Sequence, residues 1–289
     1  MLYKTKPILI EKIWGGSRLK DYNKTFMSNV GESIEYSGEP EGTSITIKLI
    51  DAKDDLSIQV HPDGNMAKKF KDGCGGKDEF WVVLDSDEDS EVFYGFNKMY
   101  NKEELRIAAL DGSIISMLNR VKVKKGDCIL IPSGTVHALG KGVMVYELQQ
   151  SSDITYRLYD WDRGALGCKR ELNLEKALSS IIHYTPPYEV YNLYNMIYGN
   201  VPKISIVRSK YFKAKFVALE MEETLMQQCD ELKIITAISG IGEIAYGENK
   251  EIIKKGESCV IAEKDYEYEY VQIKGLSSFQ YIESSSNIA

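Results

Sequence analysis

The sequence predicts an all-β fold, mostly strands with a few helices, and two patterns carry that reading. Short runs of β-branched and aromatic residues recur along the chain: TSITIKLI (43–50), LSIQVHP (56–62), EFWVVLD (79–85), SEVFYGF (90–96), CILIP (128–132) and VMVYELQQ (143–150). Turn-forming residues close off each run, and strands this closely spaced build antiparallel sandwiches or barrels rather than alternating β and α units. The second pattern is a faint internal repeat, VKKGDCILIPSGTVHAL (123–139) aligning without a gap on IKKGESCVIAEKDYEYE (253–269). It sets His137 opposite Glu267, and Pro132 and Gly134 opposite Ala262 and Lys264. A duplicated fold would thus have kept its strands and lost its polar signature.

The elements follow in order. After the first strands, NKEELRIAALDGSIISMLNR (101–120) opens with an Asn cap and a glutamate-rich turn and reads as a helix. NLEKALSSIIHY (173–184) has apolar residues spaced by three and four and reads as another. YTPPYEVYNLYNMIYGNVP (184–202), rich in Pro, Tyr and Asn, reads as a connection. Strand-like runs then resume with FKAKFVALEM, KIITAISGIGEIAYG, ESCVIAE, YEYEYVQI and SSFQYI. The expected organisation is a domain over 1–183, a linker over 184–202 and a second β domain over 203–289.

Composition bounds the function. With 289 residues, 43% hydrophobic and 27% charged, the chain has the balance of a globular protein large enough for two cores. A net charge of -7 argues against binding nucleic acid, because no lysine and arginine excess exists to neutralise a phosphate backbone. The N-terminus lacks a signal-peptide pattern and no apolar run reaches the ~18 residues of a membrane span, so a cytoplasmic protein is expected. The five cysteines, Cys74, Cys128, Cys168, Cys229 and Cys259, form no metal-ligand spacing and read as reduced structural thiols.

Histidine is scarce, with only three in the chain. In LSIQVHP an extended backbone sends Leu56, Ile58 and Val60 to one face and Ser57, Gln59 and His61 to the other. His137 closes IPSGTVHA, where Pro-x-Gly-x-x-His reads as a turn delivering a strand that starts at the histidine. His183 follows an apolar helical run with nothing converging on it and reads as structural.

Pro-x-Gly-x-x-His resembles the second signature of cupins, double-sheet jelly-roll barrels that hold a metal inside. Together IWGG (13–16), QVHPD, GGKDEFW, PSGTVHALGKG and ELQQSSDITYRLYDWDR are similar to the short two-domain bacterial mannose-6-phosphate isomerases. The resemblance runs from residue 13 to 163, with weaker cover beyond. It implies two jelly-roll barrels, the first holding metal and the second degenerate, and the interconversion of mannose 6-phosphate and fructose 6-phosphate.

Carried over by motif, the metal ligands fall on Gln59, His61, Glu79 and His137. Imidazole, carboxylate and amide donors suit zinc, with manganese or cobalt as alternatives. Lys77 and Arg157 match the family's active-site lysine and arginine, and Trp14 reads equally as a residue of the pocket wall or of the buried core. An acidic chain needs local cations for a sugar phosphate. Arg157 is assigned enediolate stabilisation or proton handling, with Lys77 and Glu147 as acid, base or substrate contacts; Arg163 and Lys141 are further basic candidates.

The pattern departs from the family at Ile34, where a tryptophan is usual, at Gly64, where a second aspartate is common, and at Lys141, where generic cupins have asparagine. Glu79 follows His61 by 18 residues, a spacing of these isomerases rather than of cupins at large. Two other readings stand beside the isomerase: an iron-dependent cupin enzyme, disfavoured because the usual facial triad is missing, and a non-catalytic sugar-phosphate-binding protein. A monomer and a homodimer are equally compatible with the sequence.

Overall fold

The computed structural model describes the chain except residues 25–26, 39–44, 74, 164–169, 183–188, 197–202, 230, 263–269 and 288–289. The expectations for His183, Lys264, Glu267, Cys74, Cys168 and most of the 184–202 connection fall outside the described residues. The fold is mostly β, as the sequence predicts, and its strands form two sandwiches.

The first sandwich has a seven-stranded sheet in the spatial order Val190–Asn192, Asp127–Ile131, Glu79–Ser86, Val143–Gln150, Ile45–Ala52, Ile8–Gly16, Val30–Ser37. Opposite it lies a five-stranded sheet in the order Tyr156–Tyr159, Ile58–Val60, Val136–Leu139, Glu91–Phe96, Leu118–Lys122. The second sandwich pairs a six-stranded sheet, Leu2–Lys4, Ser258–Ile261, Lys233–Ser239, Phe279–Ser286, Phe212–Leu219, Lys203–Arg208, with the four strands Thr224–Gln228, Tyr270–Gly275, Ile241–Tyr246, Asn249–Lys254. Two pairings are remote in sequence. The N-terminal strand lies antiparallel to Ser258–Ile261, with Leu2 opposite Ile261, and Val190–Asn192 lies beside Asp127–Ile131.

Period-two alternation builds layers from these sheets. In Glu79–Ser86 and Val143–Gln150 the residues Phe80, Val82, Leu84, Met144, Tyr146 and Leu148 face the second sandwich, where they meet Phe212, Phe216, Ile234 and Ile282. The alternate positions, Trp81, Val83, Val143 and Val145, turn inward against Val92, Tyr94 and Leu139 of the five-stranded sheet. Both faces of the large sheet are therefore apolar, and its strands read as nearly continuous hydrophobic runs. Polar residues on the inward face stand out against that background, and they are the ones that build the site.

The outer face of the five-stranded sheet is covered by helices Lys102–Asp111 and Leu174–Ser180, with Ile58, Val60, Val136 and Ala138 packed beneath them. The expected helix over 101–120 is correct only in its first half. Asn101 and Glu104 form a capping box, and the helix stops at Gly112, which takes the left-handed conformation (φ 80). A 3-10 turn Ser113–Met117 and the strand Leu118–Lys122 follow. Leu56 also departs from expectation: it packs with the interior residues, whereas Ile58 and Val60 face the helices, because regular strand geometry begins only at Ile58.

Candidate metal centre

Three strands of the five-stranded sheet set the first half of the site. Gln59 lies directly opposite His137 on one side and Arg157 on the other, so one row across the sheet presents an amide, an imidazole and a guanidinium inward. His61 leaves the end of its strand, and Gly134 N–H donates to its carbonyl at 2.7 Å. The facing sheet supplies the rest. Glu147 pairs across strands with Trp81 and with Lys48, and Gln149 pairs with Glu79.

His61, Glu79 and His137 converge, and each offers a ligand atom within 4.8 Å of the others. Their exposures are 1%, 1% and 0%. His61 Nδ1 lies 2.8 Å from the Ile154 carbonyl and His137 Nδ1 lies 2.9 Å from that of Thr135. Each carbonyl accepts an N–H, so both rings are fixed with the Nε2 lone pair turned toward Glu79. The Nε2 atoms stand 3.1 Å from Oε1 and 3.4 Å from Oε2 of that carboxylate.

Two lone pairs and an anion facing one another repel, and nothing in the protein fully relieves them. Lys77 Nζ reaches Oε1 at 2.7 Å, but Oε2 is buried with no hydrogen-bond partner. A buried acceptor without a donor is costly, and a cation at this point would satisfy all three groups at once. The residues present therefore fit a divalent metal. Gln59 is the fourth group in place: its Nε2 lies 3.4 Å from His137 Nε2 and its Oε1 accepts from Ser57 Oγ at 3.3 Å. Half a turn of the amide would point the oxygen at the same spot.

Charges around the cluster are tuned by burial and by one another. Burial drives the His61 imidazole down to about 4, assisted by Lys77, so the ring stays neutral and able to ligate. Burial opposes ionisation of Glu79 most strongly, but Lys77, His61 and His137 together outweigh it and hold the carboxyl well below its usual range. Burial likewise works against the Lys77 ammonium, yet Glu79 and Glu147 prevail and raise it. Glu147 goes the other way: burial, reinforced by the charge of Glu79, pushes it up to about 7. Trp81 Nε1–H donates to its Oε2 at 2.8 Å, and the Trp81 ring meets His137 edge-on.

The cluster opens onto a cavity of about 370 Å³ lined by Trp14, Gln59, Lys77, Glu79, Trp81, Glu147 and Arg157 among others. Trp14 is 3% exposed and packs in the interior core as well, so it serves both roles weighed from the sequence. Arg157 is half-buried, its Nε has no partner, and among the described residues no carboxylate pairs with it. Arg163 and Lys141 stay outside the cavity. Arg163 is tied to Asp160 at 3.0 Å and to the Asp55 carbonyl at 2.6 Å, and Lys141 does not line the wall.

Sequence reading missed Lys48, Glu32, Asp153 and Arg170, all of which line this cavity. Lys48 is buried between Glu32 at 3.9 Å and Asp153 at 3.7 Å. The signal was a lysine in the middle of the otherwise apolar run ITIKLI, on the inward parity of the strand. Arg170 is held by a double contact to Asp160, which no local pattern announces.

No protein-family model matches the chain. Individual proteins do. It is 34% identical to mannose-6-phosphate isomerase ManA of Bacillus subtilis, covering 89% of this chain and 91% of that protein. It is 32% identical to the mannose-6-phosphate isomerase of Streptococcus mutans, over 87% and 89%. Among solved structures, the mannose 6-phosphate isomerase from Bacillus subtilis superposes with a TM-score of 0.77 at 29% identity, covering 97% of this chain and 98% of that one. A putative mannosephosphate isomerase from Archaeoglobus fulgidus shares the fold at 18% identity and a TM-score of 0.75, covering 99% and 98%. Similarity of this extent runs through both sandwiches and the site between the sheets of the first: the chain belongs to the mannose-6-phosphate isomerase family.

Proposed function

We propose that this protein interconverts mannose 6-phosphate and fructose 6-phosphate, using a divalent metal, Zn2+ by the chemistry of the donors, held by His61, Glu79, His137 and Gln59. The observation that carries the reading is the unpartnered Glu79 oxygen between two inward-facing imidazoles, at the wall of a cavity that also presents Lys77, Glu147 and Arg157. Relatives named for this reaction match nine-tenths of the chain.

The reaction moves a carbon-bound proton from C2 to C1 and a hydroxyl proton from O2 to O1. A base removes the C2 proton of the aldose, an enediol forms, and a proton is returned at C1 to leave the ketose. A bound divalent metal supplies Lewis acidity toward the sugar's oxygens. Glu147 suits the proton carrier, because a carboxyl held near 7 accepts and releases a proton at neutral pH. Lys77 stays an ammonium and offers a donor to an oxygen that gains charge. The uncommitted Arg157 guanidinium is assigned to the anionic parts of the substrate, the enediolate oxygens or the phosphate. Trp81 and Gln59 hold Glu147 and His137 in register on opposite walls.

The test is a coupled assay offering mannose 6-phosphate, glucose 6-phosphate and unphosphorylated mannose in parallel. Turnover of the first alone supports the reading. Binding of mannose 6-phosphate without turnover by the metal-loaded protein sinks it in favour of a sugar-phosphate-binding role.

A further inference from the structure

Gln149 sits on the strand Val143–Gln150, directly opposite Glu79 on one side and Thr46 on the other. It is fully buried, and both N–H groups of its carboxamide go to the backbone just ahead of it. Nε2 donates to the Gln150 carbonyl at 3.0 Å and to the Ser152 carbonyl at 2.9 Å. The reverse orientation would set the amide oxygen against two carbonyls, so the partners fix which atom is nitrogen. Oε1 is left buried with no hydrogen-bond partner among the described residues. A side chain kept only to fill this space would be apolar, because a bare buried carbonyl oxygen is costly. The donors are what the position retains.

Those donors shape one segment. Residues 151–155 cross from the seven-stranded sheet to the five-stranded one, where Tyr156–Tyr159 begins. The segment is anchored at its start: Gln150 N–H donates to the Asp78 carbonyl at 3.1 Å, and Gln150 Oε1 accepts from Asp78 N–H at 2.9 Å. Asp78 Oδ1 in turn accepts from Ser133 N–H at 2.9 Å, in the turn that precedes His137. Beyond Gln150 the chain bends. Ser152 N–H donates to the Gln150 carbonyl at 2.7 Å, Ser151 Oγ lies 3.0 Å from Thr46 Oγ1, and the Gln149 amide clasps both ends of the bend.

Two residues after Ser152, the Ile154 carbonyl stands 2.8 Å from His61 Nδ1. The Ile154 N–H has only a long contact, 3.4 Å to Ser152 Oγ. The carbonyl that fixes the His61 ring is therefore placed from Ser152, and Ser152 is placed by Gln149.

We propose that Gln149 is a positioning residue for the metal centre: by clasping the bend it presents the Ile154 carbonyl to His61 and keeps that ring in its Nδ1–H form. The Nε2 lone pair is then turned toward the metal position. Gln149 does not line the cavity, so it acts through His61 and not on the substrate. This role rests on His61 as a metal ligand, not on which sugar the site takes. A hydrogen-bonding partner behind a ligating imidazole is worth about 10- to 100-fold in metal affinity.

Gln149→Met, near in length and without donors, separates positioning from folding, with Gln149→Leu as the second variant. The chain has three histidines, so metal-free protein with isotope-labelled histidine gives a simple long-range proton–nitrogen NMR spectrum at mildly alkaline pH. In the parent, His61 should be protonated at Nδ1 alone, and so should His137, whose Nδ1 faces the Thr135 carbonyl. In either variant His61 should move toward the Nε2–H form while His137 stays unchanged. Zinc affinity, read by competition with a chelator, should fall about tenfold or more. The melting temperature of the metal-free variants should stay close to the parent's, since each substitution also removes the bare oxygen. A parent in which His61 is protonated at Nε2, or a folded variant that keeps the parent's His61 tautomer, would overturn the proposal. Loss of the fold in both variants would overturn it as well, making Gln149 a structural residue. A parent that binds no zinc would count against the metal reading, while the His61 tautomer would still decide the role of Gln149.

Discussion

Replacing Glu147 with glutamine should make the protein more stable and nearly inactive at once. Glu147 is 3% exposed, and its carboxyl is pushed from an ordinary 4.5 to about 7. That net position already includes the attraction of Lys77 and Lys48. An acid whose pKa is raised in the folded state binds its proton more tightly there than when unfolded. The resulting stabilisation is complete below the unfolded value of 4.5 and is lost as pH rises through about 7. Above pH 7 the fold therefore carries an ionised carboxylate at a cost of up to about 3 kcal/mol, from some 2.5 units at 1.36 kcal/mol each.

Glutamine has the same shape, keeps an oxygen for the Trp81 N–H and does not ionise. In metal-free protein at pH 8, Glu147→Gln should melt several degrees higher than the parent, at about 2–4 °C per kcal/mol for a large domain. The gain should shrink to nothing near pH 4.5, while kcat falls about 10²- to 10⁴-fold through loss of the proton carrier. Calorimetric melting across pH 4.5–8.5, beside the coupled assay, gives both numbers. A variant less stable than the parent at every pH would instead show Glu147 to be a structural ion-pair partner of Lys48 and Lys77.

Other substitutions separate metal binding, substrate contact and folding. His137→Ala should lower metal affinity by at least 100-fold, read as metal content after dialysis, and should leave no measurable turnover; retention of stoichiometric metal would contradict the ligand assignment. Arg157→Lys should lower kcat/KM about tenfold or more with little change in melting temperature, because Arg157 has no carboxylate partner to lose among the described residues. His61, held down to about 4, should contribute stability to the metal-free protein above pH 6.5. That contribution is lost as pH falls toward 4, because the unfolded histidine takes up the proton first, and a His61→Gln variant should lack this acid limb in its melting curve.

Much of this site was written locally in the chain. VMVYELQQ is a strand over its full length, and its parity sends Glu147 inward and Tyr146 toward the second sandwich. Glu79, His61 and His137 come together because each lies in or next to a strand whose inward parity they share. What stayed hidden depended on distance in sequence or on backbone punctuation. The pairing of Leu2 with Ile261 joins chain ends that no local pattern relates. Helix Lys102–Asp111 stops where Gly112 adopts positive φ, although the apolar spacing continues past it. Lys48 turns inward because the second sandwich covers the opposite face of its sheet and leaves the interior as the side chain's only direction, a cause remote in sequence.

If this chain isomerises a sugar phosphate at a metal held by His61, Glu79 and His137, its turnover must follow the metal. The conversion of mannose 6-phosphate to fructose 6-phosphate by purified protein is to be followed before chelation, after chelation, and after zinc, manganese or cobalt is added back. Activity that disappears with the chelator, returns with a stoichiometric divalent metal and is absent from His137→Ala at every metal concentration is the predicted result. Full turnover in protein stripped of metal, or none in folded protein that carries one metal per chain, would contradict it.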